Sequence, residues 1–394
     1  WTNSYYGMLP GADDLNDICA DDVIKNILDN EILGNRTPGT EKAWDWEDLR
    51  VINTYFQWCK NCDDVNARNH YDGFSHFMRA YFYFTKVQRY GDVPYYDEVI
   101  GSKDNELLYK PRDSREFVMQ KIIEDLDFAI TTLSKEKELY RVSKWAALAL
   151  KSRAALYAAS VAKFTHQPYV SFSGPAVDQK LVGIEVISAD HYYDECISAS
   201  QEIMNSGKFG LYKPSPATPE EATTNYQKLF EQPFQCLDGL KEPIFMKAYA
   251  ANTILAHNYD VWFSPRQMIL DPNLYPGRMN PTLDFVDSFE DYTDDGTGTP
   301  KPISTRVDGN ESDYNGFNLS TRYLSFPIDK PYQAFAGRDA RLSAMVLFPG
   351  QNFGSTKRSK RLTLTRWSAL PRTATSRFTV KMRRRQRPRS AQNS

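Results

Sequence analysis

Cysteine and histidine are scarce in this chain of 394 residues, five of each, and their placement excludes more than their number does. Cys19, Cys59, Cys62, Cys196 and Cys236 are odd in number and scattered, which is no disulfide framework. Cys59-Lys60-Asn61-Cys62 has the CxxC spacing of redox and zinc sites. No second CxxC follows, and no His pair stands at finger spacing, so we read it as two thiols at a helix end. The histidines form no ligand-spaced set, and neither a metal nor a cofactor is expected. No GxSxG elbow, HExxH pair or P-loop is present. The adjacent acids Asp13-Asp14, Asp21-Asp22 and Glu47-Asp48 are no glycosidase pair by sequence alone, because neighbours on a helix point in different directions. No apolar run is long enough to span a bilayer. The most apolar helix-like segment, Trp145 to Ala162, is interrupted by Lys151 and Arg153 and reads as a buried amphipathic helix. The chain starts at Trp1 without initiator Met, signal peptide or lipobox Cys, so a processed or truncated N-terminus is expected.

Aromatic side chains are abundant. They make up 13% of the residues, with 24 Tyr, 22 Phe and 7 Trp, beside ordinary hydrophobic (41%) and charged (25%) fractions. Tyr and Trp in loops form rigid, amphipathic contact surfaces, so this excess suits a ligand-binding face without naming the ligand.

Residues 11 to about 210 read as helices. One starts at Asp113-Ser114-Arg115-Glu116, with Asp113 as the capping acid, and continues with Val118, Ile122, Leu126, Ala129 and Leu133 on one face. A second runs from about Tyr71 to Tyr90, with Phe77, Tyr81, Phe84 and Val87 on its apolar side, and ends at Gly91 before Pro94. A third spans Ser143 to about Val161. A fourth starts near His191, carries Tyr193, Ile197, Ser200 and Met204 as its stripe, and stops at Gly207. Further helices are expected near 42–60 and 13–29. The fold class that follows is mainly α, an α-solenoid arrangement of antiparallel helix pairs; no consensus 34-residue repeat is present, so periodicity alone does not establish a TPR array. From Lys213 to about Gly350, Pro, Gly, Asn and Asp punctuate short apolar segments, and an irregular, loop-rich, ligand-binding part is expected. The expected division is 1–212 for the helical scaffold, 213–354 for the loop-rich part, and 355–394 for a basic tail.

That tail holds 13 Lys or Arg and no acid, leaving 35 bases against 50 acids in the residues before it. Nothing else in the chain looks like a nucleic-acid module, so no nucleic-acid partner is expected. A disordered, solvated tail and an out-of-frame or otherwise unnatural end are the readings that remain.

Several segments, in order, resemble the SusD/RagB family of outer-membrane nutrient-binding lipoproteins. They are Tyr5-Tyr6-Gly7 with Asp21-Asp22, and GFSHFMRAYFYFTKVQRYGDVP within Asn69 to Pro94. Pro111-Arg112-Asp113-Ser114 with Ile123-Glu124-Asp125-Leu126-Asp127 follows, then RVSKWAALALKSRAALYAA from Arg141 to Ala159. Further on stand Lys228-Leu229-Phe230 with Glu242-Pro243-Ile244-Phe245, Pro281-Thr282-Leu283 with Asp287-Ser288-Phe289, and Arg338-Asp339-Ala340-Arg341-Leu342. The resemblance covers roughly residues 1–350, and because family members continue well beyond the segment that Arg338 to Leu342 resembles, it implies that 213–354 is truncated and that the basic tail is non-native or frameshifted. It implies a helical TPR-like scaffold, an N-terminal lipid anchor on the outer membrane and a SusC-like TonB-dependent transporter as partner. The ligands it implies are oligosaccharides or polysaccharides, captured without catalysis.

Sugar capture needs flat apolar faces for the pyranose C–H surface, flanked by hydrogen-bonding groups for the hydroxyls. Trp44-Asp45-Trp46-Glu47 offers both, just after the loop Gly34-Asn35-Arg36-Thr37-Pro38-Gly39. Asp22, Arg36, Trp44 and Trp46 are therefore the first candidates for a glycan site, with one Trp packing at the helix start as the alternative for each. Asn258, Tyr259 and Trp262, around Asp260, form a second candidate, with aromatics plugging an internal interface as its alternative. A protein-interaction scaffold and a glycoside hydrolase stand as the other functional readings.

Overall fold

The computed structural model describes residues 2–9, 22–25, 43–165, 173–231, 241–249, 277–292 and 337–347, with short pieces at 33–35, 37, 39–40, 262–263, 299–300, 323–324, 335, 352–353, 360–361 and 367–368. The chain divides into two compact units. One is Trp1–Leu9, Lys42–Tyr212 and Gly239–Ala248; the other is Pro10–Glu41, Lys213–Asp238 and Tyr249–Ser394.

The first unit is helical: α1 (Thr2–Met8), α2 (Glu47–Trp58), α3 (Val65–Tyr90), α4 (Arg115–Thr132), α5 (Lys144–Thr165) and α6 (Ala189–Asn205). Helices α2 to α6 each pack on the next in sequence, the TPR-like succession expected of short-linked amphipathic helices. Asp64 caps α3 by accepting from the N–H groups of Asn66 and Ala67, both at 3.0 Å, so the helix starts well before Tyr71. In α4, Val118, Ile122, Leu126 and Ala129, with Leu133 just beyond, are all buried, as their spacing predicts. Its cap is Ser114, whose Oγ accepts from Phe117 N–H at 3.3 Å, and not Asp113. Asp113 is drawn elsewhere: its carboxylate takes the Tyr95 N–H (2.7 Å) and the Lys110 ammonium (2.7 Å).

Alanines 154, 155, 158, 159 and 162 of α5 are fully buried, and such small side chains let neighbouring backbones come close. Lys151 bridges three helices, pairing with Asp127 of α4 and Glu195 of α6, each at 2.6 Å. The expected stripe of α6 is displaced. Ala189, Tyr192, Ala199 and Ile203 face the core, while Ile197 (50%) and Met204 (66%) are exposed. Ser152 of α5 bonds Ser200 at 2.8 Å, and α6 turns its small residues toward the alanine-rich helix.

The second unit contains α7 (Pro219–Glu231), packed against the short helix Leu342–Met345. This helix corrects the loop-rich expectation for 213–354. Its signal was in the sequence: Thr218 Oγ1 accepts from Glu221 N–H at 3.2 Å, and Pro219 opens the first turn. Residues 23–25 are likewise not helical. They form β1 (Val23–Lys25), antiparallel to β2 (Met279–Pro281), because Val23 and Ile24 find a strand partner far along the chain. β3 (Glu290–Asp291) pairs with β4 (Thr299–Pro300) and is held by Arg338-Asp339, with Asp339 N–H donating to Glu290 O at 2.8 Å. Within the tail, residues 360–361 pair with 352–353 and residues 367–368 with 323–324. Among the described residues no helix is long and apolar enough to cross a membrane.

Candidate functional site

The site grows from the turn that joins α3 to α4. Gly91 adopts φ +74°, a conformation costly for any side chain, and its N–H donates to Val87 O at 2.9 Å. The chain then reverses so that buried Asp92 accepts from Arg115 N–H, at the first turn of α4, at 2.6 Å. Arg112 closes the junction by donating from Nη1 to Asp92 O (3.1 Å) and Tyr90 O (3.4 Å), backbone carbonyls at and just beyond the end of α3. A Cβ on Gly91 would lie 2.3 Å from Arg115 Nη2. We therefore expect Gly91→Ala to cost about 1–3 kcal/mol, seen as a lowered thermal midpoint; an unchanged midpoint would show that the turn is not strained.

Against this junction stands Trp44. Its ring meets Tyr90 edge-on (4.8 Å between centroids) and Trp46 (5.2 Å, 78° between planes), and the Arg112 guanidinium lies 5.3 Å from its centroid. It keeps 41% of its surface exposed. Trp46 is half-buried and packs against Phe82, Tyr83 and Tyr96, with the Lys86 ammonium 5.6 Å from its ring centroid. It also serves as the residue before α2, with Asp45 Oδ1 accepting from Glu47 N–H at 2.9 Å. A cavity of about 110 Å³ opens beside this segment, lined in part by Asp45, Asp48, Tyr81, Thr85 and Lys86. Partial burial, with the Asp45 carboxylate close by, pushes the Asp48 carboxyl above its ordinary range. Thr85 Oγ1 donates to Phe82 O and Lys86 Nζ to Ala43 O, so what the segment offers is an exposed indole with the Asp45 and Asp48 carboxylates as acceptors for hydroxyl groups.

Of the other candidates, Asp22 and Trp262 belong to the second unit. Asp22 precedes β1; its carbonyl accepts from Thr282 N–H at 2.9 Å, and its Oδ1 is buried without a hydrogen-bond partner. Trp262 is half-buried, with the Arg278 guanidinium 4.9 Å from its ring centroid. Arg36, Asn258, Tyr259 and Asp260 lie outside the described residues. Sequence reasoning missed Tyr90, Arg112 and Lys86 as neighbours of the two tryptophans. Tyr90 and Arg112 stand in the YGDVP and PRDS segments, which were legible as motifs but not as the surroundings of Trp44.

The comparisons with known proteins bear on the same stretch. The SusD-like family described as starch-binding, associating with outer membrane, matches residues 40–156. A SusD-like protein from Bacteroides fragilis aligns with a TM-score of 0.61 at 22% identity, covering 89% of this chain and 60% of its own. The family match is confined to residues 40–156, and this solved structure shares the chain's fold. A SusD-like carbohydrate binding protein from the same species gives a TM-score of 0.60 at 17% identity, covering 90% of this chain and 60% of its own. A SusD superfamily protein from Parabacteroides distasonis gives 0.53 at 22% identity, covering 75% and 60%. The chain thus spans about three fifths of the length of these solved structures, and identities of this order speak to fold alone. No curated protein sequence matches it.

Proposed function

We propose that this SusD-like protein captures oligosaccharides or polysaccharides without cleaving them, and delivers them to a SusC-like TonB-dependent transporter at the outer membrane. An outward-facing lipid anchor, outside the given sequence, would hold it there. The observation that carries the reading is Trp44, an indole with 41% of its surface open, framed by Tyr90 and Arg112 and close in sequence to the cavity that Asp45 and Asp48 help to line. An exposed aromatic with flanking hydrogen-bonding groups binds the C–H face of a pyranose while its hydroxyls are paired. Asp22, Arg36, Asn258, Tyr259 and Trp262 are proposed as further glycan-contacting residues. In this reading the helical scaffold carries the platform, and the remaining part supplies specificity loops.

The outer-membrane association in the family's description and the carbohydrate-binding relative from Bacteroides fragilis support this reading. Electrophoresis of the protein through gels containing a panel of polysaccharides tests it. Retardation by at least one glycan, with no new reducing ends released from that glycan on prolonged incubation, is expected. A folded protein retarded by none would move the function toward a protein-interaction scaffold, and release of reducing ends would make it a hydrolase.

A further inference from the structure

The CxxC segment is not used by the proposed glycan site, and its geometry has a consequence of its own. α2 ends at Trp58 and the chain passes through one turn of 3₁₀ helix, Cys59–Asn61, before Asp64 caps α3. Cys62 N–H donates to Cys59 O at 3.0 Å across that turn. A turn closed in this way keeps its first and fourth Cα atoms within about 7 Å, overlapping the span of roughly 4.4–6.8 Å that a disulfide requires. Both cysteines are free, Cys62 exposed and Cys59 half-buried. Their thiols donate to different carbonyls, Cys59 to Phe56 O (3.4 Å) and Cys62 to Asp64 O (3.6 Å). Joining them calls on side-chain rotation within a backbone already bent to the right span.

We propose that Cys59 and Cys62 are a modification site, forming an intrachain disulfide when the protein meets a disulfide oxidant. The exposed Cys62 thiolate attacks one sulfur of a low-molecular-weight disulfide, forming a mixed disulfide and releasing one thiol. Cys59, losing its proton, then attacks Cys62 Sγ and expels the second thiol. Two protein thiols are oxidised and one external disulfide is reduced to two thiols. The pair has the wrong setting for an oxidoreductase. Redox-active CxxC pairs lower a thiol's pKa, often at a helix N-terminus, whereas this pair follows a helix C-terminus. Burial, then the nearby Asp72 carboxylate, pushes the Cys59 thiol above its ordinary value. Such a bond forms slowly, a clasp at the α2–α3 elbow beside the cap of α3, the longest helix among the described residues.

Trypsin cuts after Lys60, between the two cysteines, which makes the test direct. The full chain is incubated with oxidised glutathione, its remaining thiols are blocked with iodoacetamide, and it is digested and weighed. The expected result is that peptides 51–60 and 61–68 travel as one linked species, split by dithiothreitol. In Cys59→Ser, glutathione should instead remain attached at Cys62. Recovery of the two wild-type peptides separately, each with its thiol blocked, would overturn the proposal. So would glutathione persisting on Cys62 in the wild type as it does in the variant, or a linkage from either residue to another cysteine.

Discussion

Asp125→Ala is expected to destabilise the protein by about 3–5 kcal/mol, the cost of leaving a buried cation without its counter-charge. Asp125, on α4, is 4% exposed and ties together two residues of α3. Its Oδ1 lies 2.6 Å from both Arg79 Nη2 and His76 Nδ1, and its Oδ2 accepts from Arg79 Nε at 2.8 Å. Arg79 is itself largely buried, its guanidinium 4.7 Å from the Phe56 ring centroid, so water cannot replace the lost carboxylate. The damage should therefore exceed that of a surface pair such as Lys121–Glu124, where about 1 kcal/mol or less is expected. Replacing both members, Asp125→Leu with Arg79→Met, should recover part of the loss, because no orphaned charge remains. Denaturant unfolding of Asp125→Ala and of the double variant checks this; a loss below about 1 kcal/mol for Asp125→Ala would show that the network carries little of the fold.

The same carboxylate sets an acid dependence. Burial alone would raise its pKa, but the hydrogen bonds from Arg79 and His76 outweigh burial and hold it below the ordinary value. A carboxyl whose folded pKa lies below its unfolded value contributes stability that is full above the unfolded value, about 3.9, and is lost as pH falls through the folded one. Unfolding free energy should thus decline on acidification below about pH 4, and more steeply in the wild type than in Asp125→Asn.

Elements were legible in the sequence where their cause is local. The α4 stripe from Val118 to Leu133 follows from spacing alone, and the end of α3 from Gly91. Most of the misassigned features have distant causes. Asp113 has the chemistry of a helix cap, but Tyr95 and Lys110 claim it, leaving the cap to Ser114. β1 depends on Met279–Pro281, far along the chain. The α6 stripe is fixed by the alanines of α5 and not by its own larger apolar residues. α7 was locally encoded at Thr218-Pro219-Glu220-Glu221, but the Pro-rich surroundings masked it. At the candidate site, aromatic composition pointed to Trp44 and Trp46, yet nothing local separates their parts. Tyr90 and Arg112 around Trp44, and Phe82, Tyr83 and Tyr96 around Trp46, are gathered by folding.

That separation yields the second large effect. Trp44→Ala should weaken glycan binding by about 1.5–3 kcal/mol, roughly tenfold to a hundredfold, as for removal of a central aromatic contact. Its effect on stability should be smaller, because 41% of the indole is exposed and the junction beneath it is held by Asp92, Arg112 and Arg115. Trp44→Phe, which keeps a flat apolar face, should retain part of the affinity. Trp46→Ala should behave differently, lowering stability by about 1–3 kcal/mol, since its ring fills space among three aromatics of the core and its margin.

The central claim is that an exposed indole at position 44 is a sugar platform. Wild-type protein and Trp44→Ala, with matched thermal unfolding curves, should be run side by side through gels containing the glycan that retards the wild type. The account predicts that the wild type is retarded and that Trp44→Ala migrates as in a glycan-free gel. Equal retardation of the two would contradict it and place the binding surface away from Trp44.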